Sequence, residues 1–584
     1  IDDLEGGESR RMARRKPFEL EPLERRIHLS ATVGDQQYYD ISTASGIPAA
    51  GPLPDTSLFG GAGAIPPPAW ELLGTVDTGG GKVYVYDMDG RGAGAAIDGD
   101  YDESDGTPYR ASDPGNDLLI TRNAAGVVVI ARRWIADASG WRQADFTALG
   151  LVVEGSLAAF IDQRALDGNV AFIASTGRMG AIIVNSPITG AGDGGLEAPG
   201  VMTIPEGAGI YCGGDGISLL WAKAARDSLQ SAVIARSIGS LLISYGMSGS
   251  VRVEGDVGLV YAGLMADSEF TGEIVAGGIG TFYNRGIFSG SVATEGLLGR
   301  FISTGDVGGR FNLGELGQMI SAASIGTDLT ARGRMGTIYT PRFLSGAYRI
   351  GGVLTQVFAV SGINAEISAS SIGSLTVVRG DLAGSIALGE HAGGINVIRG
   401  DLTAAVRAGG VISSIYVPNG TFRGTVDAQR LTIVNVAATG TLGERRARVT
   451  AHYNIANMYV WRNLYGTDIG VGLDGLQDGE AALIGFLFVG GDVQRSNILA
   501  GVWNENGRDA GPDNPFSDGA EDGTPYAAHW SGRAWIANAR IFGRVGTGDG
   551  IRGQWAIASR DPGAWLVVGA AQDYIVRNGF ERPQ

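Results

Sequence analysis

Carboxylates set close together can do two kinds of chemistry: hold a hard cation, or divide the acid and base roles of glycoside cleavage. Asp98-Gly99-Asp100-Tyr101-Asp102-Glu103-Ser104-Asp105-Gly106 places carboxylates at alternating positions, the arrangement with which a loop wraps oxygen ligands around Ca²⁺. Asp98, Asp100, Asp102 and Asp105 are therefore the candidate calcium ligands. The loop lacks the closing glutamate and the flanking helices of an EF-hand, so the likeness is chemical only, and a solvated acidic turn is the alternative. A sparser acidic insertion holds Asp509, Asp513, Asp518, Glu521 and Asp522, and both loops end in Asp-Gly-Thr-Pro-Tyr, at 105–109 and 522–526. The duplication suggests related modules at the two ends.

Hydrolytic chemistry needs two carboxylates about 5 to 9 Å apart. Candidates are Glu254 with Asp256, Glu269 with Glu273, and Asp381 with Asp401, the last within the repeated runs Val378-Arg379-Gly380-Asp381-Leu382 and Ile398-Arg399-Gly400-Asp401-Leu402. The functional reading is a stacked carboxylate pair beside arginines; the structural one is a repeated turn with exposed ion pairs, and it is preferred. No catalytic residue is assigned, and enzyme activity is left open. The single cysteine, Cys212, excludes an internal disulfide framework and reads as a small hydrophobe. His28, His391, His452 and His529 lack metal-ligand spacing. Trp530, Trp535, Trp555 and Trp565 cluster towards the C-terminus, where tryptophan packs a terminal coil or stacks on sugar rings.

What positions these groups is a repeat. Over 584 residues, 96 glycines, 20 prolines and 44% hydrophobic residues are too apolar for disorder and lack the triplet of collagen. From about residue 217 a unit recurs every 18 to 24 residues: apolar, glycine or serine, polar, an apolar pair, then glycine and a second short strand. Clear copies start at Ile238, Val257, Ile279, Leu298, Leu316, Met335 and Ile372, and weaker ones near 217, 354, 392, 412, 431 and 455. Two or three strands of three to five residues, with glycine at corners needing positive φ or close backbone approach, return the chain to its start. The expected fold is all-β: a right-handed parallel β-helix, or solenoid, with capping β regions at both ends. At about 4.8 Å per turn, thirteen starts would make a rod of roughly 60 Å. Leucine-rich repeats, propellers and sandwiches fit the pattern less well. The expected organisation is a basic sorting segment at 1–31, a Gly/Ala/Pro-rich linker at 32–70, an N-terminal β cap at 71–178, the parallel β-helix at 179–470, and C-terminal coils with the acidic insertion at 471–584.

The segment Glu19-Leu20-Glu21-Pro22-Leu23-Glu24-Arg25-Arg26-Ile27-His28-Leu29-Ser30-Ala31, behind a cluster of Arg and Lys, lacks the apolar core of an ordinary secretory signal. It resembles a loose variant of the LEPR-XLL segment of planctomycete exported and surface proteins. Leu23 follows Pro22, and Ile27-His28-Leu29 stands where the family has an apolar pair. Gly491-Asp492-Val493, Ser496–Val502 and Ala534–Ile541 look like terminal coils of β-helical surface proteins from the same group. These resemblances imply the cell envelope or the extracellular space. A net charge of −16 argues against nucleic acid, and no apolar run suits a membrane span. The expected role is a non-catalytic structural or interaction protein presenting a rigid solenoid surface to envelope or matrix components, polysaccharide included. The alternative is a polysaccharide-active lyase or glycoside hydrolase with an acidic groove on a pectin-lyase-like β-helix.

If the loop at 98–106 holds Ca²⁺, saturating calcium raises the thermal unfolding midpoint, by a linkage of about 2.7 kcal/mol at a hundredfold excess over Kd. Asp100→Asn with Asp102→Asn removes that rise; a calorimetric scan with and without the ion reads it.

Overall fold

The computed structural model describes residues 71–87, 116–131, 148–164, 169–190, 201–224, 229–264, 269–440, 447–472, 480–494 and 533–543, together with further short strands. Every regular element among them is a strand. The chain is all-β, its strands stacked in parallel into a solenoid of about 15 turns, which at about 4.8 Å per turn is a rod of roughly 70 Å. Residues Ile1–Ser45 cluster as a separate unit, in which Thr32–Val33 pairs with Gln36–Gln37.

Three parallel stacks of strands run the length of the rod. The first carries the repeat read from sequence. Ile217, Ile238, Val257, Ile279, Leu298, Leu316, Met335, Leu354, Ile372, Ala392, Ile412, Leu431 and Ile455 are each paired with the next in one unbroken column. All are buried. Three residues later a second buried column follows, running through Leu241, Val260, Phe282, Phe301, Met319 and Ile338.

Two residues therefore lie between consecutive inward side chains, where a regular strand would have one. The pairing steps over the first of them: Ile238 faces Val257, then Ser240 faces Leu259. That skipped residue is the recurrent glycine, and a Cβ on Gly258 would lie 2.6 Å from the carbonyl oxygen of Gly239 in the coil before. On Gly317 the same atom would lie 2.2 Å from the Gly299 oxygen. Close backbone approach, with no positive φ at these residues, selects glycine here.

The second stack alternates strictly, as in Ile325–Ala331 with its in-and-out burial. Its inward column runs through Val233, Val251, Ile274, Val292, Phe311, Leu329 and Tyr348. The third is one residue wide for much of its length: Ile188, Leu229, Met247, Phe270, Phe288, Val307 and Ile325 are joined by single bridges. Where the three columns converge, aromatic rings fill the tube. Phe270 and Phe288 stack at 5.2 Å within the third column, Phe288 and Phe311 do so between the third and second, and Phe282 and Phe301 of the first meet Phe288 edge-on. These are the offset and T-shaped geometries that the ring quadrupole favours.

The first coil does not end in a bare edge. Lys82–Asp87, hairpin partner of Glu71–Asp77, lies antiparallel to Ala148–Val153, which pairs in parallel with Asn169–Ser175 on its other side. An occupied edge offers no template to another chain. At the other end, the coils continue beyond 470 through Ala481–Val489, Arg533–Ile541 and Trp565–Val568.

Phe301→Ala is expected to remove about 3 to 5 kcal/mol, because the rigid ladder on both sides limits collapse of the cavity. Phe301→Leu, which retains most of the volume, should cost well under half of that; denaturant midpoints of the two variants check the ratio.

Candidate functional site

The acidic pair at Asp381 and Asp401 does stack, and its carboxylates face backbone. Asp381 Oδ1 accepts the amide of Asp401 at 2.8 Å, and Asp401 Oδ1 accepts the amide of Thr421 at 2.7 Å, while Asp401 Oδ2 lies 3.3 Å from Arg423 Nε. Each aspartate thus latches its own coil to the next. Asp306 does the same for the amide of Ser324 at 2.9 Å, and Asn463 for that of Asp492 at 3.0 Å. All four acceptors directly precede a residue of the third column: Val307, Leu382, Leu402 and Leu464. A column one residue wide offers a short backbone ladder, and a side-chain oxygen supplies an acceptor to an amide that would otherwise rely on solvent.

Three of the other candidate acids are also held between coils, while Asp256 is exposed. Glu254 reaches Arg236 at 4.0 Å, Glu273 reaches Arg252 at 3.8 Å, and Glu269 accepts from Ser289 Oγ at 2.7 Å. Surface pairs of this kind contribute at most about 1 kcal/mol. The buried pair of Asp162 and Arg164, 2.9 Å apart, takes the amide of Ser186 on its remaining carboxylate oxygen and ties down the first coils. Cys212 is buried, points its thiol at the Gly177 and Gly216 carbonyls, and burial pushes that thiol up, away from a reactive thiolate. His391 Nδ1 accepts the Val411 amide, and His452 lies 3.6 Å from Glu480.

Among the described residues no cluster of three or more His, Cys, Asp or Glu could hold a metal ion. Of the calcium candidates, Asp98 ends the strand Ala96–Asp98, in register with Leu119. Asp100, Asp102 and Asp105 lie outside the described residues, as do the second acidic insertion and the side chains of Trp530, Trp535, Trp555 and Trp565.

Two surface features of the described coils run along the rod. Along the corner between the third and second stacks the backbones press together, with a Cβ on Gly272 only 2.4 Å from the Gly249 oxygen. Lacking side chains there, the corner hollows into two open depressions. One, of about 510 Å³, is lined by Ser231, Gly249, Ser250, Gly272 and Glu273. The other, of about 440 Å³, is bordered by Asp328, Asn364, Glu366 and Ser385. Asp328, Ala347 and Glu366 occupy one outward column, so the two acids stand two coils apart, about 10 Å. At Gly346 the corner adopts φ of +97°, which a side chain would strain.

The second feature is a column on the first stack, alternate to the inward ones, that the repeat concealed: Tyr261, which is buried, then Tyr283, Ile302, Ile320, Tyr339 and Phe358, half-buried or exposed. Its rings stack along the rod, Tyr261 on Tyr283 at 4.6 Å and Tyr339 on Phe358 at 5.5 Å. The signal lay in the apolar pair of the unit, since only one of two adjacent strand residues can face inward. Beside it runs a polar column of Thr281, Arg300, Gln318, Thr337 and Gln356. No family model, curated protein or solved structure matches the chain.

Asp401→Ala should cost about 1 kcal/mol by leaving the Thr421 amide without its acceptor. Asp401→Asn, which retains an oxygen there, should cost less. Hydrogen exchange at Thr421 distinguishes them, faster in the alanine variant alone.

Proposed function

We propose that the chain is a non-catalytic structural or interaction protein of the cell envelope or extracellular space, a rod whose outer columns contact matrix or carbohydrate. The observation that carries this reading is the commitment of its stacked acids: Asp381, Asp401, Glu254 and Glu273 bind the backbone or arginines of neighbouring coils and do not converge on a shared cleft. The resemblance of residues 19–31 to LEPR-XLL segments supports export. The net charge of −16 weighs against nucleic acid as partner. Among the described residues no helix is long and apolar enough to cross a membrane.

A polysaccharide-active enzyme is the second reading, and one observation favours it: two exposed acids, Asp328 and Glu366, flank a depression on the regular coils. Two coils set their backbones about 10 Å apart, and an inverting pair holds its carboxyl groups about 6.5 to 9.5 Å apart.

Incubating the full chain with a panel of polysaccharides, while following reducing ends and unsaturated products, separates the two. Unchanged chain length throughout is the expected result. Cleavage that disappears in Asp328→Asn or Glu366→Gln would transfer the assignment to the enzyme.

A further inference from the structure

The first and second stacks turn different chemistry to solvent. On the second, Arg310, Asp328, Arg349, Glu366, Arg407 and Asp427 all point out and are exposed. On the same coils the first stack is almost free of charge. Between its inward columns each coil has three positions, such as Gly280, Thr281 and Tyr283, or Gly317, Gln318 and Ile320. In the eleven coils from Ile279 to Val489 the one charged residue at such a position is Arg300. With 18% of the whole chain charged, an unselected face of that length would carry several.

In place of charge the face holds uncharged polar residues and rings. Tyr339 is 38%, Tyr416 39% and Ile433 41% exposed. Depletion of charge together with enrichment in Tyr and Phe is the composition of the buried centre of a protein interface, and such a centre has a polar rim. Here Glu315 and Arg334 stand at the corner before the stack, and Asp306 and Arg342 at the corner after it. The ring column also has a covered portion. Ile183, Leu242 and Tyr261 precede Tyr283 in the same register and are buried, at 4%, 3% and 6% exposure. From Tyr283 onwards the column is open.

A second copy of the chain fits this face better than an unlike partner. Two chains of charge −16 repel wherever charged surfaces meet. An uncharged face lets them approach without setting like charges together, whereas an unlike partner would be selected by complementary charge. The size agrees. Eleven coils span about 50 Å and four strand residues about 13 Å, a projected area of roughly 650 Å² against the ~800 Å² per partner of a standard interface. Two sheets pack face to face about 10 Å apart, and a two-fold relation uses the same patch twice and closes at two copies. We infer that the face of the first stack from Tyr283 to Phe488 is the interface of a homodimer, two rods packed sheet on sheet. The inference rests on the interaction-protein reading and names the partner on one side of the rod.

Sedimentation equilibrium of the full chain over the micromolar range tests it, and a dimer is the expected species. Gln318→Glu with Gln356→Glu places two carboxylates on the face with no change of side-chain size, and should weaken the dimer at least about a hundredfold through like-charge opposition. High salt should restore part of that loss, which a folding defect would not allow. Thr330→Glu with Ser368→Glu adds the same charge to exposed positions of the second stack and should leave the dimer as it was. A chain monomeric throughout the range would overturn the inference, as would a dimer indifferent to the Gln318 and Gln356 changes or equally weakened by the second-stack pair. Assembly that continues past two copies would also overturn it. So would cosedimentation of a monomeric chain with insoluble cellulose that the Gln318 and Gln356 changes abolish, which would give the face to a glycan. None of these outcomes touches the non-catalytic reading, which fails instead on cleavage in the polysaccharide panel.

Discussion

Each coil rests on the backbone of the one before it at the hydrogen-bonding distance of two strands, about 4.8 Å, and everything else in the molecule answers to that contact. A side chain cannot enter where two backbones meet edge to edge, so Gly258 and Gly317 follow glycines one coil back. Elsewhere the same contact sets like over like. Apolar residues fall into columns, and the phenylalanines at 270, 288 and 311 make one ring stack from the third and second stacks. A residue is thus judged mainly against its equivalents in the adjacent coils, the nearest-neighbour logic of all solenoids.

The three stacks satisfy this contact unequally. The first and second have strands of four to eight residues from Ile217 to Val397 and longer continuous ones from Ala405 to Val460, and the third is often a single bridge. At that narrow side Asp306, Asp381, Asp401 and Asn463 supply the acceptors that a longer ladder would have supplied. Asp381 and Asp401, which resemble a catalytic pair in the sequence, direct carboxylate oxygens to the backbone of the neighbouring coil on this narrow side.

Much of the fold was legible because a period fixes register. All thirteen coil starts chosen from the apolar-Gly-polar-apolar unit fall in one column, including the weak ones at Ala392 and Leu431, where glycine or the bulky residue is lost. The third stack was not legible, since one apolar residue between polar neighbours has no internal periodicity to read. Nor was the outward column of Tyr283, Tyr339 and Phe358: an adjacent apolar pair looks uniformly buried until alternation is imposed on it. The recurrence of Asp381 and Asp401 was visible, but their partners are backbone amides, and every residue has one.

The stacking direction also sets how the rod carries load. The hydrogen bonds between coils run along its axis, so a pull applied end to end acts on every interface in series, and the weakest gives way first. One coil can peel from the next while the rest stay wound, each releasing a contour of some twenty extended residues, on the order of 70 Å. Anchored at one end and loaded at the other, such a rod would yield by stepwise lengthening, a tether that absorbs work before it parts.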